Sequence, residues 1–314
     1  MRKYAIIDFS ASSLSLLIVK IEGPKMESLL QTRTELSFST SIYEGRVLSE
    51  QEIFEVVESA EGMLSLCRQN EVDNVYAIAS STLSSLDKID RLFGMVEEKL
   101  GLVIEKLDIA EEAEARLVAN ERYNILPRAV LVDFGSLSLK LYSFSNYLCT
   151  IPVGPLGLYK EHVGEIIPST GEADAIKASV RSALDEANLP EEGYFENAVL
   201  AGVYSWALYQ LYAEYYQLSH QHGEKIIQYK KLKKLCKYLI RQENSRSLMI
   251  LRSTPDLMHL IVPAALLAKQ LLKRFGVSNI IVSDLGVKEG VLKQIASGTR
   301  TAKALHLTQE ESHV

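Results

Sequence analysis

The stretch that decides the fold is 129–143, AVLVDFGSLSLKLYS. An apolar run ends on the carboxylate of Asp133, and a turn of small residues begins at Gly135. Leucines then alternate with Ser138 and Lys140. This order predicts a buried strand, a tight turn and a returning strand. Such a hairpin can point backbone N–H groups at an anion.

The same arrangement occurs near the start of the chain, in 5–20, AIIDFSASSLSLLIVK. Here too an apolar strand ends on a carboxylate, Asp8, before a small polar turn and an alternating strand. Asp8 and Asp133 lie 125 positions apart, close to half of the ordered length. The repeat predicts two similar domains that face each other, with one aspartate from each lining the cleft.

Apolar periodicity and turn residues predict the order βββαβαβα in the first half of the chain, and the second half begins in the same way. A capping box at Ser49 and Glu52 opens the first long helix, and Gly101 ends a later one. Helices are predicted over 225–242 and 256–275, the second either bent or started afresh at Pro263. We assign residues 1–125 to the first domain and 126–300 to the second. The last predicted helix, or the polar tail 301–314, could return to the first domain.

Composition sets limits on the function. The chain has 314 residues, of which 47% are hydrophobic and 24% charged, values typical of a globular protein with room for two domains. A net charge of −6 argues against a general nucleic-acid binder. Three widely spaced cysteines indicate a reducing compartment, and we expect the cytoplasm. The longest apolar stretch, 257–268, is too short to cross a bilayer, so no membrane association is expected.

The duplicated βββαβαβα unit is the pattern of the actin-like superfamily of ATPases, sugar kinases and Hsp70 chaperones (ASKHA, ribonuclease H-like). Several strings narrow this further. They are AIIDFSASSLSLLIV at 5–19, ASSTL at 79–83, LDIAEEAEARL at 107–117, VDFGSLSLK at 132–140, IPVGPLG at 151–157 and IVSDLGVKEG at 281–290. As an ordered set they resemble the exopolyphosphatase and guanosine-pentaphosphate phosphatase (Ppx/GppA) family, in its short two-domain form.

The resemblance implies hydrolysis of a terminal phosphoanhydride by a carboxylate base, a divalent metal and donors around the phosphates. Glu114 matches the catalytic glutamate of the family. Asp8 and Asp133 match its two hairpin aspartates and would hold Mg²⁺. The phosphate contacts expected from the two turns are Ser12, Ser13, Gly135, Ser138 and Lys140. The expected substrate is polyphosphate or guanosine pentaphosphate, and a homodimer is left open.

The local sequence adds an argument for Glu114. Asp108 and Glu111 can form a capping box at the start of the helix. The helical neighbours of Glu114 three and four residues on are Leu117 and Val118. This spacing predicts that Glu114 lies on the apolar side, where a carboxylate gains the raised pKa of a general base. The alternative is an ordinary solvated glutamate near a helix N-terminus.

Departures from the family pattern weaken the predicted phosphate site. Ser84 stands where the family has a clamp arginine, and 10–13, SASS, replaces a turn that contains glycine. Lys88 or Lys140 could restore a positive charge. We therefore expect weak hydrolase activity, with a catalytically inactive relative that binds a phosphorylated ligand or a protein as the alternative. An ATP-using enzyme is disfavoured, because Val203-Tyr204 crowds the expected place of adenosine.

A basic stretch follows in the second half. Lys230, Lys234, Lys237 and Arg241 fall on one helical stripe, opposite an apolar face. A solvated side of an amphipathic helix explains this stripe without a function. The other interpretation is a surface that follows a polyanion.

Overall fold

A computed structural model describes residues 2–23, 25–36, 46–144, 147–218, 224–241 and 244–307. Within these ranges the chain divides into two compact units. The first unit runs to Ala119 and takes up the chain again from Val287, and the second covers Asn120–Gly286. No helix among the described residues is long and apolar enough to span a membrane.

Each unit is built on one six-stranded sheet. The strands are β1 Arg2–Phe9, β2 Ser13–Glu22, β3 Lys25–Glu35, β4 Asn74–Ala79, β5 Ile104–Lys106, β6 Ala129–Phe134, β7 Leu139–Ser143, β8 Tyr147–Ile151, β9 Asn197–Ala201, β10 Lys225–Gln228, β11 Asn279–Val282 and β12 Leu305–His306. The helices are α1 Glu50–Gln69, α2 Ser81–Ser84, α3 Asp90–Leu100, α4 Ile109–Ala119, α5 Pro155–His162, α6 Thr170–Glu186, α7 Val203–Tyr216, α8 Tyr229–Leu239, α9 Asn244–Ser253, α10 Ile261–Phe275 and α11 Val287–Ser297.

The two sheets repeat one plan. In the first, β1 pairs with β2 antiparallel and with β4 parallel, and β5 lies beyond β4. In the second, β6 pairs with β7 antiparallel and with β9 parallel, and β11 lies beyond β9. The strand with an aspartate as its last residue but one is therefore central in each sheet, as the repeated hairpin predicts.

Apolar burial on both faces holds these central strands in place. In β1 and β2, residues such as Ile6, Ile7 and Leu17 are at most 1% exposed, and β6 is buried along its whole length. A strand buried on both faces reads as a continuous apolar run, which is how both stretches appear in the sequence.

The observed division differs from the boundaries expected at 125 and 300. Helix α11 belongs to the first unit because it packs against α4, and Gly290 makes this approach close. Arg300 then donates to Glu105 Oε1 at 2.6 Å, and β12 pairs antiparallel with β4. The end of the described chain thus completes the first sheet, while residues 120–125 lie with the second unit.

Local predictions have mixed outcomes. The capping box at Ser49 is present, and Gly101 ends α3 in the left-handed conformation. The predicted helix over 225–242 is wrong at its start, because Lys225–Gln228 pairs with β11 as a strand. The helix predicted over 256–275 begins only at Ile261, after a short 3-10 helix at Pro255–Leu257. Helix α9 was not predicted.

Candidate functional site

Three parallel strands of the first sheet end at one edge. Ser80 N donates to the carbonyl of Phe9 at 2.9 Å, and Leu107 N donates to the carbonyl of Ala79 at 3.0 Å. The residue at the end of β1, the short helix α2 and the start of α4 are therefore neighbours. The carboxyl ends of parallel strands are where α/β sheets place their ligands.

Asp8 occupies this edge in a charged environment. Burial raises the pKa of its carboxyl to about 6, against an ordinary value of 3.8. Lys288 and Arg116 oppose this increase, whereas the negative charges of Glu112 and Glu289 add to it. Four ionisable groups from α4 and α11 thus act on the Asp8 carboxyl. Strongly perturbed carboxyl groups of this kind are typical of functional sites.

Lys288 links the last helix to the first hairpin. Its Nζ donates to Ser15 Oγ at 2.7 Å, and Ser15 is the cross-strand partner of Asp8. The backbone holds this lysine in place, since a Cβ on Gly290 would lie 1.8 Å from the carbonyl oxygen of Ala115. Gly290, the last residue of the 281–290 string, therefore permits a close packing of α11 on α4.

The glutamate that lies inside this site is Glu112. It is only 2% exposed, and Ser81 Oγ donates to its Oε2 at 2.6 Å. Glu114 is exposed, so the prediction that it lies on the apolar side of the helix is wrong. The buried face of α4 carries Glu112, Ala115 and Ala119 instead, because α11 packs on that side. The capping box predicted from Asp108 is present: Glu111 N donates to Asp108 Oδ1 at 2.8 Å.

The first turn is closed by its own serines. Ser10 Oγ donates to the carbonyl of Ser13 at 2.9 Å, and Ser13 N donates to Ser10 Oγ at 3.1 Å. None of Ser10 to Ser13 has a positive φ, so the turn avoids the strain that loss of glycine would bring. Ser12 and Ser13, both predicted to contact phosphate, are buried, with exposures of 8% and 6%. The N–H of Ser13 is thus already engaged.

The second unit holds the other aspartate. Asp133 is 5% exposed, and its Oδ1 would lie 3.2 Å from a Cβ on Gly202, whose φ is +98°. This glycine precedes α7, so the carboxylate approaches the backbone at the start of that helix. Lys140 faces Asp133 across β6 and β7 and is itself only 7% exposed. The structure therefore brings Asp133 and Lys140 together.

In the second turn, the lack of room for a side chain accounts for the glycine without any contact to phosphate. Gly135 N donates to the carbonyl of Ser138 at 3.0 Å, and a Cβ on Gly135 would lie 2.8 Å from that oxygen. Gly154 packs against the same turn, since its Cβ would lie 2.3 Å from the carbonyl oxygen of Ser136. Both Gly135 and Ser138 are half-buried. Their predicted roles toward phosphate stay predictions.

Of the residues predicted from sequence, the structure places Asp8 within electrostatic reach of Glu112 and Lys288, and pairs Asp133 with Lys140. Glu112, Ser81 and Lys288 are not among the residues that the sequence predicts. Lys288 lies in the string 281–290, which resembles the family pattern, but nothing in the local sequence indicates a role for its side chain. For Glu112 the only local signal was two adjacent glutamates, whose facing depends on tertiary packing. That Asp8 and Asp133 face one cleft also stays a prediction.

The donor set at Asp8 suits a hard cation. No group of three or more histidine, cysteine, aspartate or glutamate side chains among the described residues could hold a metal by itself. Mg²⁺ needs only one or two carboxylates, because it keeps waters and binds substrate phosphates. Asp8, with Glu112 in electrostatic reach, is the residue of the first unit that could offer such a carboxylate, and Asp133 is the one in the second.

Two similar α/β units, each with a central strand that carries an aspartate next to its last residue, define an actin-like protein of two domains. Residues 17–298 match the Ppx/GppA phosphatase family, so the chain belongs to that family. No curated protein matches it.

Solved structures agree on the fold. The Ppx/GppA family member from Aquifex aeolicus is 21% identical, with a TM-score of 0.75 over 96% of this chain and 99% of its own. An exopolyphosphatase from Cytophaga hutchinsonii is 16% identical, with a TM-score of 0.80 over 96% of this chain and 100% of its own. An exopolyphosphatase-like protein is 14% identical, with a TM-score of 0.79 over 95% of this chain and 98% of its own.

Proposed function

We propose that this protein is a phosphoanhydride hydrolase of the exopolyphosphatase type, which releases terminal phosphate from polyphosphate or guanosine pentaphosphate. The observation that carries the proposal is the buried Glu112, which Ser81 holds at the edge where β1 ends, one residue after Asp8. A carboxylate that a hydroxyl fixes at such an edge can take the proton of an attacking water. We assign this role to Glu112 in preference to Glu114, which is exposed.

The other charged groups would neutralise the phosphates. Asp8 and Asp133 would hold Mg²⁺, which when bound offsets the negative charge of the phosphate oxygens. Lys288 is a further cation at Asp8 and is held by Ser15, so it could partly replace the clamp arginine missing at Ser84. A lysine supplies charge without the bidentate fork of arginine. We therefore expect low activity.

We also propose that the protein works in the cytoplasm. Cys67, Cys149 and Cys236 are all free thiols, which suits the reducing conditions of the cytoplasm.

The test is phosphate release from long-chain polyphosphate and from guanosine pentaphosphate, with Mg²⁺ present. Glu112→Gln should lower the rate by about 10²-fold or more, as expected for loss of a general base. Glu114→Gln is the matched control two residues away, and its rate should stay within about twofold of wild type because the side chain is solvated. A loss of rate in Glu114→Gln alone would show that the general base is Glu114, the residue expected from sequence. Equal rates in all three proteins would exclude both glutamates.

A second candidate function is binding without turnover. It is favoured by the two turns, where N–H groups that could face phosphate are engaged internally at Ser13 and Gly135. Calorimetry with guanosine pentaphosphate would then show saturable binding and no phosphate release. Multiple turnovers would exclude this candidate.

Tyr204 does not disfavour an ATP-using enzyme in the way that the sequence predicts. Tyr204 is 1% exposed and packs edge-on against Phe134 in the core, with ring centroids 6.3 Å apart. Its side chain therefore does not crowd a nucleotide. Family membership, rather than crowding at Tyr204, is what favours a phosphatase.

A further inference from the structure

The second unit carries lysines on three helices that pack side by side. Helix α10 packs against α6 and against α8. Each of the three has basic residues four positions apart, and such residues lie on one side of a helix. The pairs are Lys177 and Arg181 on α6, Lys233 and Lys237 on α8, and Lys269 and Lys273 on α10.

Four of these side chains form what we call the lysine face: Lys177, Lys233, Lys269 and Lys273. Lys269 is half-buried, and burial lowers the pKa of its ammonium. The positive charges of Lys177, Lys233 and Lys273 lower this pKa further, whereas the Cys236 thiol opposes the shift. Lys177 on α6, Lys233 on α8 and Lys273 on α10 thus all lie within electrostatic reach of the Lys269 ammonium, as the packing of the three helices requires.

Compensation within the lysine face is small. Asp174 accepts from Lys177 Nζ at 2.7 Å and lies within electrostatic reach of Lys269, but its side chain is largely solvated. Lys233 stands over the ring of Tyr229, 5.7 Å from its centroid. In the described part of the chain, Lys233, Lys269 and Lys273 form no ion pair. Clustered cations without counter-charges cost stability, and a bound anion would remove that cost.

We propose that the lysine face is a second anion site that binds the chain of inorganic polyphosphate. Packed helices lie 8–10 Å apart, so a face across three of them spans on the order of 20 Å. A single phosphate cannot contact all of it, but a linear polyanion can. Lysine ammonium groups suit phosphate oxygens as point charges and need no fixed geometry along the chain.

This site differs from the stripe expected from sequence. The stripe predicted from sequence lies on a single helix and begins with Lys230 and Lys234. The lysine face instead takes Lys233 from α8 and joins it to α6 and α10. The proposal rests on the proposed function for the identity of the polyanion, because the lysines alone would accept any extended anion.

The experiment measures equilibrium binding of long-chain inorganic polyphosphate to the full chain. The triple variant K233Q/K269Q/K273Q should bind about tenfold more weakly, since each exposed charge pair contributes a fraction of the total. The control K25Q/K99Q/K303Q removes three exposed lysines of the other unit and changes net charge equally. It should bind within about twofold of wild type. An equal loss in both triples would reduce the effect to net charge and overturn the proposal.

Further arms separate this proposal from the proposed hydrolase. Glu112→Gln should bind polyphosphate as wild type does, whatever its rate of phosphate release. If wild type releases no phosphate but the lysine triple still loses binding, the hydrolase proposal fails and the lysine face stands. If phosphate is released and the triple binds normally, the lysine face is overturned and the hydrolase stands. Single-stranded DNA that competes equally well for the face would also overturn the assignment to polyphosphate.

Folding of each variant is checked by thermal melting. Lys269 is half-buried, so its replacement could impair folding. In that case the double variant K233Q/K273Q, which changes exposed side chains only, carries the test. It should still bind polyphosphate several-fold more weakly, and unchanged binding would overturn the proposal.

Discussion

Lys288 Nζ donates to Ser15 Oγ at 2.7 Å, although 273 residues separate them in the chain. This hydrogen bond places the last helix of the first unit over the strand pair that carries Asp8. A residue from near the end of the described chain thus lowers the pKa of a carboxyl near its beginning, against the larger effect of burial. Two predictions concern this carboxylate directly.

The first prediction concerns the titration of Asp8. Because Lys288 lowers the pKa of Asp8 from what burial alone would impose, Lys288→Met should raise this pKa above the wild-type value of about 6. Lys288→Arg keeps the positive charge and should leave the pKa near wild type. Carbon-13 NMR of the metal-free carboxyl group measures both. An unchanged Asp8 titration in Lys288→Met would contradict the proposed coupling.

The second prediction concerns the effect of the raised pKa of Asp8 on the free energy of unfolding. The folded-state pKa of Asp8, about 6, lies above its ordinary value of 3.8, so folding favours the protonated form. This contribution is present at low pH and is lost as the pH rises through about 6. Asp8→Asn should therefore gain stability over wild type as pH rises from about 4 to 7.5, by at most about 3 kcal/mol.

Urea unfolding of the metal-free protein at a series of pH values measures this difference. The loss of phosphate release in Asp8→Asn should accompany the gain in stability, as expected when a site is strained for function. A stability difference that does not vary with pH would show that Asp8 titrates normally.

The third prediction concerns the packing of α11 on α4. Gly290→Ala would place a Cβ 1.8 Å from a backbone oxygen of Ala115, which cannot move aside as a side chain tip can. We expect destabilisation of about 1–3 kcal/mol or more. The matched control is Gly62→Ala in α1, where a Cβ meets nothing within 4 Å. That change should stabilise by about 0.5–1 kcal/mol, since alanine favours the helix. Thermal or urea unfolding compares the two, and equal effects would contradict the close packing.

The sequence predicts those features whose residues are adjacent in the chain, and it does not predict those that depend on contacts between distant segments. Both hairpins were predicted because strand, aspartate and turn are adjacent in sequence, and the duplicated topology followed from their repetition. The sequence does not predict which of Glu112 and Glu114 is buried. Either glutamate suits an isolated helix, and only the packing of α11 on α4 decides which one lies inside. The tertiary partner of Lys288 had no local signal at all.

The same reasoning explains the strand at Lys225–Gln228. Its basic and apolar residues continue the helical pattern of α8, and local propensity favours one long helix. Pairing with β11 overrides that preference, as sheet context commonly does. Of the candidate site, the aspartates belong to local motifs and were predictable, whereas the surroundings that set their charge depend on distant segments.

The last prediction restores the missing arginine. Ser84 ends α2 at the edge where Asp8 and Glu112 lie, and its side chain is half-buried. In Ser84→Arg a guanidinium could form the bidentate phosphate contact that lysine cannot. We expect phosphate release to rise by at least about tenfold, a small part of what an arginine can contribute to phosphoryl transfer.

Ser85→Arg is the control for Ser84→Arg, because Ser85 is the next residue and is exposed, and its hydroxyl donates to the nearby carbonyl of Thr82 at 2.9 Å. It adds the same charge one position away and should change the rate by less than about twofold. A similar gain in both variants would show that charge alone limits the reaction. No gain in Ser84→Arg, together with unchanged ligand binding in Lys140→Ala, would favour binding without turnover over hydrolysis. In that case the internally bonded turns at Ser13 and Gly135, rather than the missing arginine, would be what keeps phosphate from being held for attack.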